Sequence, residues 1–172
     1  MSESPSEETA AELFDCYIQD LQSAGKKAEL VQASGVTSLE DLAQKLGCDV
    51  AQLHKTVCLN YKDEQGRKLV AVVVPATGRV DMAKVANALG VNPKGMKSAQ
   101  PDFITEQTGF VPGGIPPIGF DPSARLLDSR TLAHETIFAG GGNNLNSYTK
   151  MDPKLLIELY PDTIQGNFLQ ES

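Results

Sequence analysis

The most constraining feature of this sequence is the segment 108–120, TGFVPGGIPPIGF, which contains four glycines and three prolines. Such a composition excludes a helix and a central β-strand, because proline lacks a backbone N–H and fixes φ. The segment therefore predicts a stiff loop whose glycines let other groups approach the backbone closely. It also carries five apolar side chains, at Phe110, Val111, Ile115, Ile118 and Phe120.

These apolar side chains are expected to pack inward and leave the peptides of Gly113 and Gly114 facing a cavity. Rigid backbone N–H groups suit carbonyl chemistry, because pre-aimed donors stabilise a developing oxyanion. The alternative is a Pro/Gly-rich crossover that only turns the chain. The loop by itself is compatible with both interpretations.

Composition indicates an ordinary globular protein. The 172 residues are 41% hydrophobic and 22% charged, which is enough to build one core. No apolar run approaches the ~20 residues that span a bilayer, so no membrane partner is expected. The formal net charge of −7 disfavours broad binding along a nucleic acid, but it leaves room for a local basic patch that contacts one end.

The N-terminus and the cysteines bear on location. Residues 1–6 are expected to form a disordered acidic leader, and residues 7–172 a single domain. The first eleven residues are polar and acidic, unlike a secretory signal. Cys16, Cys48 and Cys58 are odd in number and lack C-x-x-C spacing, which argues against a disulfide framework and a zinc site. Reduced thiols and a cytoplasmic location fit best.

Hydrophobic periodicity and turn residues predict the secondary structure. Helices are expected over 7–24, 38–46, 50–54, 81–89, 101–108 and 152–160. Strands are expected over 28–31, 55–61, 68–74, 95–99, 125–127, 136–139 and 146–149, with a hairpin turn at 63–66. Because strands and helices interleave irregularly, the sequence predicts an α/β (α+β) domain with a mixed β-sheet and surrounding helices.

Lys55 is the first candidate for chemistry outside the loop. Period-two alternation places it on the same face of its strand as Val57, Leu59 and Tyr61. A lysine with its stem in the core and its ammonium in a cleft could anchor a carbonyl, a carboxylate or a phosphate. The alternative is a lysine whose side chain extends to solvent at a strand end.

The other polar candidates are weaker. His54 and His134 lack neighbours at metal-ligand spacing, and His134 is interpreted as a surface residue. Asp128 ends a strand, where it could orient a site residue or cap the turn that follows. The run Gly140–Gly142 is not a phosphate loop, since no G-K-[ST] follows. It is expected to let two backbones approach or to line the same cleft. Neither a metal nor a cofactor is expected.

Several short motifs, taken together and in order, carry a family resemblance. They are Lys55-Thr56-Val57, the valine-rich strand ending in Pro75, Arg79-Val80-Asp81, Ala88-Leu89-Gly90, Thr108-Gly109-Phe110, the loop 113–119, Leu126-Leu127-Asp128, Ala139-Gly140-Gly141 and Leu155-Leu156. In this combination the chain resembles the YbaK/prolyl-tRNA-synthetase-associated editing domain family over residues 38–160.

The resemblance implies a single mixed α/β domain that hydrolyses mischarged aminoacyl-tRNA, here as a free-standing, trans-acting deacylase. It places the family lysine on Lys55 and the G-x-x-x-P loop on Gly113 to Pro117, and it implies a mechanism without a triad or a metal. The expected catalytic residues are Lys55, Gly113 and Gly114. The expected substrate-binding residues are Thr56, Ile115, Pro116, Pro117, Asp128, Gly140, Gly141 and Asn146.

The resemblance also implies partners and an alternative. The expected partner is the acceptor end of a mischarged tRNA, with an aminoacyl-tRNA synthetase as a candidate second partner. The alternative is a non-catalytic module that docks on a synthetase or on an aminoacyl-like small molecule. Acidic cleft walls would favour this module. The tRNA interpretation would be favoured by a basic cluster around Lys55 that includes Lys26, Lys27, Arg79 or Lys97.

The chain departs from the cysteine-specific members of that family. Those members carry aromatic residues in the first strand, where residues 28–31 read AELV here. Ala139 stands where they have a polar residue, and Asn146 stands where they have an acidic one. Hydrolysis of cysteinyl-tRNA is therefore not assigned.

Overall fold

A long antiparallel hairpin forms the centre of this structure, a computed structural model that describes residues 7–142 and 146–171. Strand β2 (His54–Asp63) pairs along its whole length with β3 (Gly66–Pro75), from His54 opposite Pro75 to Asp63 opposite Gly66. Gly66 takes φ +117°, which favours glycine and closes the predicted turn. Residues 69–74 of β3 are buried throughout, because this strand is central and covered on both faces.

Within the described residues, the strands form two sheets. The first has the order β4-β2-β3-β5-β8 and is mixed, since β5 runs parallel to both β3 and β8. The second is antiparallel, with the order β1-β7-β6. The remaining strands are β1 (Ala28–Gln32), β4 (Lys97–Ser98), β5 (Ala124–Asp128), β6 (Ile137–Gly140), β7 (Ser147–Met151) and β8 (Ile164–Gly166).

The α-helices each begin and end within one residue of the predicted bounds. They are α1 (Glu7–Ser23), α2 (Leu39–Leu46), α3 (Met82–Leu89), α4 (Pro101–Thr108) and α5 (Pro153–Leu159). The Ser38 side chain caps α2 by accepting the Asp41 N–H at 3.0 Å, and Gly47 closes that helix at φ +71°. Asp81 and Asp152 cap α3 and α5 in the same way.

The hydrophobic core lies on both faces of the five-stranded sheet. One face, with Cys58 and Val73, packs against α1, the Pro/Gly-rich loop and α5. The other face, with Leu59 and Val72, packs against α3 and the C-terminal residues. A third cluster joins α2 to Phe138 of β6. The alternation predicted for β2 is therefore confirmed, because Cys58 and Leu59 belong to opposite clusters.

The predicted fold class, a mixed sheet surrounded by helices, is confirmed, and the structure adds details. The second sheet separates from the first, and the short strand β8 was not predicted, since its sequence lacks a hydrophobic alternation. The predicted helix at 50–54 is a 3₁₀ turn at Val50–Gln52, and His54 already belongs to β2. The predicted leader 1–6, and residues 143–145 of the glycine-rich turn, lie outside the described residues. None of the described helices is both long enough and apolar enough to cross a membrane.

Gly141 offers a test of the packing at the β6–β7 junction. A Cβ on Gly141 would lie 2.1 Å from the Ser147 carbonyl oxygen, so Gly141→Ala must displace backbone. We expect a loss of about 2–3 kcal/mol in the free energy of unfolding, measured by urea titration. Gly95→Ala is the control, because its Cβ would meet nothing within 4 Å. Equal stabilities for the two variants would contradict the close approach.

Candidate functional site

A cavity of about 380 Å³ opens where the start of β2, the Pro/Gly-rich loop, α2 and β6 meet, and we call it the Lys55 cleft. Its walls are mostly apolar and include Leu39, Leu42, Leu53, Ile115, Phe138 and Tyr148. β2 contributes the polar side chains of His54, Lys55 and Thr56 to the walls, and Tyr148 adds a phenol group. Lys55 and Gly113, which lie 58 positions apart in sequence, border this same cavity. A mostly apolar cavity with a few convergent polar groups is typical of small-molecule sites.

Lys55 supplies a cation to the cleft. The side chain is partly buried, and its ammonium has neither a hydrogen bond nor an ion pair within the described part of the chain. Burial, and to a lesser degree the charge of Arg79, lower the pKa of Lys55. An unpaired ammonium at the edge of an apolar cavity is available to bind an oxygen of a ligand.

A buried arginine anchors the Pro/Gly-rich loop through hydrogen bonds. Arg125 of β5 is 5% exposed and donates hydrogen bonds to the carbonyl oxygens of Pro117 and Phe120. Its guanidinium also lies 3.8 Å from the ring centroid of Tyr160 and 4.9 Å from that of Phe120. A planar cation that bonds two loop carbonyls and stacks between two rings fixes the loop in one position.

Two tyrosines extend this support. The Tyr160 hydroxyl accepts the Gly119 N–H at 2.9 Å and lies 3.1 Å from the Tyr17 hydroxyl of α1. Burial, followed by the contact with Tyr160, raises the pKa of Tyr17. The Tyr17 phenol therefore stays protonated at neutral pH, and both hydroxyls act as hydrogen-bonding groups of the fold.

Four of the five apolar loop residues pack inward as the sequence predicts, and Val111 is only partly buried. Phe110, Ile115, Ile118 and Phe120 are all buried, and Ile118 is fully enclosed in the main core. Pro116 and Pro117 are buried as well. The loop is thus an integral part of the core, and its backbone is stiff for that reason.

The two loop glycines have different environments. Gly113 is exposed, takes φ +93° and lines the cleft. Within the described residues, its N–H has no hydrogen-bond partner. The Gly114 N–H instead donates to the Val111 carbonyl oxygen at 3.0 Å, and Gly114 is buried. The prediction that both amides face the cavity is therefore wrong for Gly114, because the turn of the loop itself uses that donor.

The glycine-rich end of β6 lets two backbones approach, as predicted. A Cβ on Gly140 would lie 2.3 Å from the Ile115 carbonyl oxygen, and the Gly142 N–H donates to the Gly114 carbonyl oxygen at 2.8 Å. Gly140 also lines the Lys55 cleft. The loop and β6 are therefore in direct backbone contact, and this contact brings β6 to the cleft.

Five of the eight predicted substrate-binding residues do not line the cleft, namely Pro116, Pro117, Asp128, Gly141 and Asn146. Asp128 is fully buried, and its carboxylate accepts the N–H groups of Arg130 and Phe168 and the Arg130 guanidinium. It caps the 3₁₀ turn at Ser129–Ala133, which was the structural alternative. Asn146 is exposed, and its backbone carbonyl oxygen accepts the Ala33 N–H at 2.9 Å. Thr56, in contrast, lines the cleft with a buried hydroxyl that has no partner among the described residues.

The sequence analysis missed the burial of His54. It is 5% exposed, and its ring centroid lies 5.7 Å from that of His134. The His54 Nδ1 lies 2.9 Å from the Gln52 carbonyl oxygen, so Nδ1 carries the proton. Burial lowers the pKa of His54 to about 4, so the ring is neutral at pH 7. The only available signal was its place directly before Lys55 at the start of a strand.

The four basic residues named as candidates around Lys55 lie in three places. Arg79 is close enough to Lys55 to affect its pKa. Lys26 and Lys27 line a separate, neighbouring groove. Lys97 lies on the edge strand β4, which pairs with β2 at Leu59 and Asn60, beyond the end that forms the cleft. Among the described residues, no group of three or more His, Cys, Asp or Glu side chains could hold a metal ion.

The fold and the cleft can be compared with known proteins. The chain is 26% identical over 145 residues to a proline–tRNA ligase of Thermosipho melanesiensis, which covers 83% of this chain and 24% of that enzyme. A proline–tRNA ligase of Stenotrophomonas maltophilia is 29% identical over 104 residues, or 60% of this chain and 18% of the enzyme. The chain thus spans no more than about a quarter of these ligases.

A solved structure extends the similarity to the whole chain. It is that of a protein proposed to be a trans-editing enzyme for prolyl-tRNA synthetase, with 25% identity and a TM-score of 0.74 over 99% of this chain and 100% of that one. The family model for the aminoacyl-tRNA editing domain matches residues 33–159. The fold is thus that of an editing domain, and the chain belongs to the aminoacyl-tRNA editing domain family.

Arg125 offers a test of how the loop is held. Lysine keeps the charge but cannot bond two carbonyls and stack on two rings, so Arg125→Lys leaves a buried acceptor unpaired. We expect a loss of about 2–3 kcal/mol in the free energy of unfolding, measured by urea titration. Arg67→Lys is the control, since exposed Arg67 has a ring contact with Phe103 but no buried carbonyls to satisfy. A small, equal effect of both changes would contradict the anchoring role.

Proposed function

We propose that this protein is a trans-acting deacylase that hydrolyses the ester of a mischarged tRNA in the Lys55 cleft. The observation that carries the proposal is the unpaired ammonium of Lys55 in the same cavity as the exposed peptide of Gly113, which takes a positive φ. Membership in the aminoacyl-tRNA editing domain family supports the choice of an aminoacyl ester as the substrate.

In the proposed reaction, Lys55 and the Gly113 N–H bind the carbonyl oxygen of the ester. Water attacks the carbonyl carbon, assisted by the neighbouring ribose hydroxyl as a hydrogen-bonding group. The bond from that carbon to the ribose oxygen breaks, the amino acid leaves with a free carboxyl group, and the proton lost by the water is available to the ribose oxygen. That ribose oxygen takes up a proton and becomes a free hydroxyl. An aminoacyl ester is already activated, so a modest reduction of the barrier is sufficient. Preorganised donors at the developing oxyanion are an efficient source of that reduction.

The cleft walls support a small apolar amino acid as the group removed. Leu39, Leu42 and Phe138 surround the cavity with hydrocarbon, and the volume of about 380 Å³ must also hold the terminal ribose. A site of this kind excludes larger side chains by size. Editing domains are needed for small side chains, because a synthetic site discriminates them by only ~1–3 kcal/mol per methylene.

The similarity to proline–tRNA ligases supports a particular tRNA. We propose that the substrate is the tRNA that prolyl-tRNA synthetase charges, carrying a wrong amino acid. The synthetase is then the natural second partner, and a cytoplasmic location follows from the site of translation. The alternative is a binding module that holds such a tRNA or a synthetase without hydrolysis.

A deacylation screen distinguishes these functions. The purified protein is incubated with proline tRNA mischarged with amino acids of increasing side-chain volume, and the remaining ester is measured over time. Hydrolysis that is fast for small apolar residues and slow for large ones supports the proposal. Binding of the charged tRNA without hydrolysis of any ester would establish the binding module instead.

The role of Lys55 is tested by Lys55→Met, which removes the charge and keeps most of the stem. We expect a loss of hydrolysis by a hundredfold or more, because an oxyanion contact elsewhere is worth on the order of 10²–10³ in rate. The fold should persist, since Lys55 is only partly buried. Lys62→Met, with an exposed lysine on the same strand, is the matched control, and Cys58→Ser and His134→Ala should be comparatively mild. Wild-type activity of Lys55→Met would refute the assigned role.

The role of Gly113 is tested against a second glycine that also takes a positive φ. Gly113 and Gly90 take φ +93° and +70°, and a Cβ on either would meet nothing within 4 Å. Gly113→Ala and Gly90→Ala should therefore both lose about 1 kcal/mol of stability. Only Gly113→Ala should also slow single-turnover deacylation, by about tenfold or more, because its Cβ and displaced N–H lie in the cleft. If both variants keep wild-type rates, the loop only turns the chain and has no role in catalysis.

A further inference from the structure

A second cavity, of about 710 Å³, lies beside the Lys55 cleft and has an unusual concentration of lysines. Lys26 and Lys27 come from the turn before β1, Lys150 from β7, and Lys154 from the start of α5. We call this cavity the lysine groove. The chain as a whole has a net charge of −7, and in this groove four lysines lie beside three carboxylates, those of Glu29, Glu135 and Asp152.

Two of the four lysines in this groove form ion pairs. Lys150 forms an ion pair with Glu29 at 3.5 Å, and Lys26 forms one with Glu158. Lys27 and Lys154 are exposed, and neither has an ion-pair partner within the described part of the chain. Glu135 and Asp152 also line the groove, and the Asp152 carboxylate is occupied as the cap of α5, accepting the Lys154 N–H at 2.9 Å. Two ammonium groups thus remain available to an anion.

The lining residues of the lysine groove and of the Lys55 cleft follow one another along two strands. Thr136, just before β6, lines the groove, and Phe138 lines the cleft. On the antiparallel neighbour β7, Lys150 lines the groove and Tyr148 lines the cleft. At ~3.3 Å per residue, two residues separate the cavities by roughly 7 Å along each strand. The Lys150 ammonium lies 5.9 Å from the ring centroid of Phe138, at the boundary between them.

We propose that the lysine groove binds the phosphate backbone of the tRNA acceptor end while the ester occupies the Lys55 cleft. This inference rests on the proposed function, since it is the tRNA substrate that brings phosphates next to an esterified ribose. Lysines recognise phosphates as mobile point charges and read no bases, so the groove adds affinity without sequence preference. An acidic segment of a partner protein is the competing occupant, and the experiment separates it from RNA.

The test compares substrates with and without phosphates. Lys27→Ala/Lys154→Ala and the wild type are assayed on mischarged tRNA and on the aminoacyl ester of adenosine, which has no phosphate. We expect KM for the tRNA to rise about tenfold or more with kcat nearly unchanged, while the kinetics on aminoacyl-adenosine stay at wild-type values. Because each phosphate contact contributes ~0.7–0.9 to the slope of log K against log salt, that slope should fall by one to two.

A control and a substrate series make the assignment specific. Lys94→Ala/Lys97→Ala removes the same charge from exposed lysines that line neither cavity, and it should change KM much less.

An aminoacylated trinucleotide and an aminoacylated acceptor-stem hairpin distinguish contacts to the single-stranded end from contacts to the duplex. An effect that appears with the trinucleotide assigns the groove to the single-stranded end. An effect that appears only with the hairpin assigns it to the stem.

Direct binding keeps this inference separate from the proposed catalysis. The affinity for uncharged tRNA, measured by fluorescence anisotropy, should fall in Lys27→Ala/Lys154→Ala whether or not the wild type hydrolyses any ester. If no ester is cleaved and the affinity still falls, the deacylase proposal fails and the groove proposal stands. An unchanged affinity and an unchanged salt slope would overturn the groove proposal and favour a protein partner.

Discussion

The site depends on a buried cation that never contacts the cleft. Arg125 lies beneath the Pro/Gly-rich loop and donates to the carbonyl oxygens of Pro117 and Phe120, with its guanidinium stacked against Tyr160. A charge removed from water in this way is stable only when hydrogen bonds and rings compensate it; the loop supplies the two carbonyls and the Phe120 ring, and the end of α5 supplies Tyr160. Cation and loop therefore hold one another in place, and the position of Gly113 at the cleft follows from that mutual restraint.

A second constraint is the close approach of the loop to β6. Gly140 has no room for a side chain because the Ile115 carbonyl oxygen is in the way, and Gly141 is equally restricted by Ser147. These contacts attach the three-stranded sheet to the loop, so that the walls of the cleft come from both sheets. The same strands, β6 and β7, then lead out of the cleft into the lysine groove. One arrangement of backbone thus connects the proposed reaction centre to the surface that we propose for RNA.

Much of this could be predicted from the sequence, and the errors have physical causes. The hairpin, the helix caps and the inward packing of the loop follow from local rules, because alternation, capping residues and proline act over a few positions. The Gly114 donor was assigned wrongly because only the folded turn shows that Val111 accepts its N–H. Asp128 was placed near substrate because a strand end is a common functional position, whereas here it satisfies Phe168 and Arg130 in the interior.

The sequence alone determined the class of fold, the family resemblance that the comparisons confirmed, and the pairing of Lys55 with the glycine loop as the candidate site. It could do so because those features are encoded in short motifs and in their order. Only the tertiary structure decided that His54 is buried, that Arg125 supports the loop, and that lysines from two distant parts of the sequence share one groove. The groove depends on the pairing of β1 with β7 across more than 100 positions, and the other two features depend on how side chains pack in the folded interior; no local pattern carries that information.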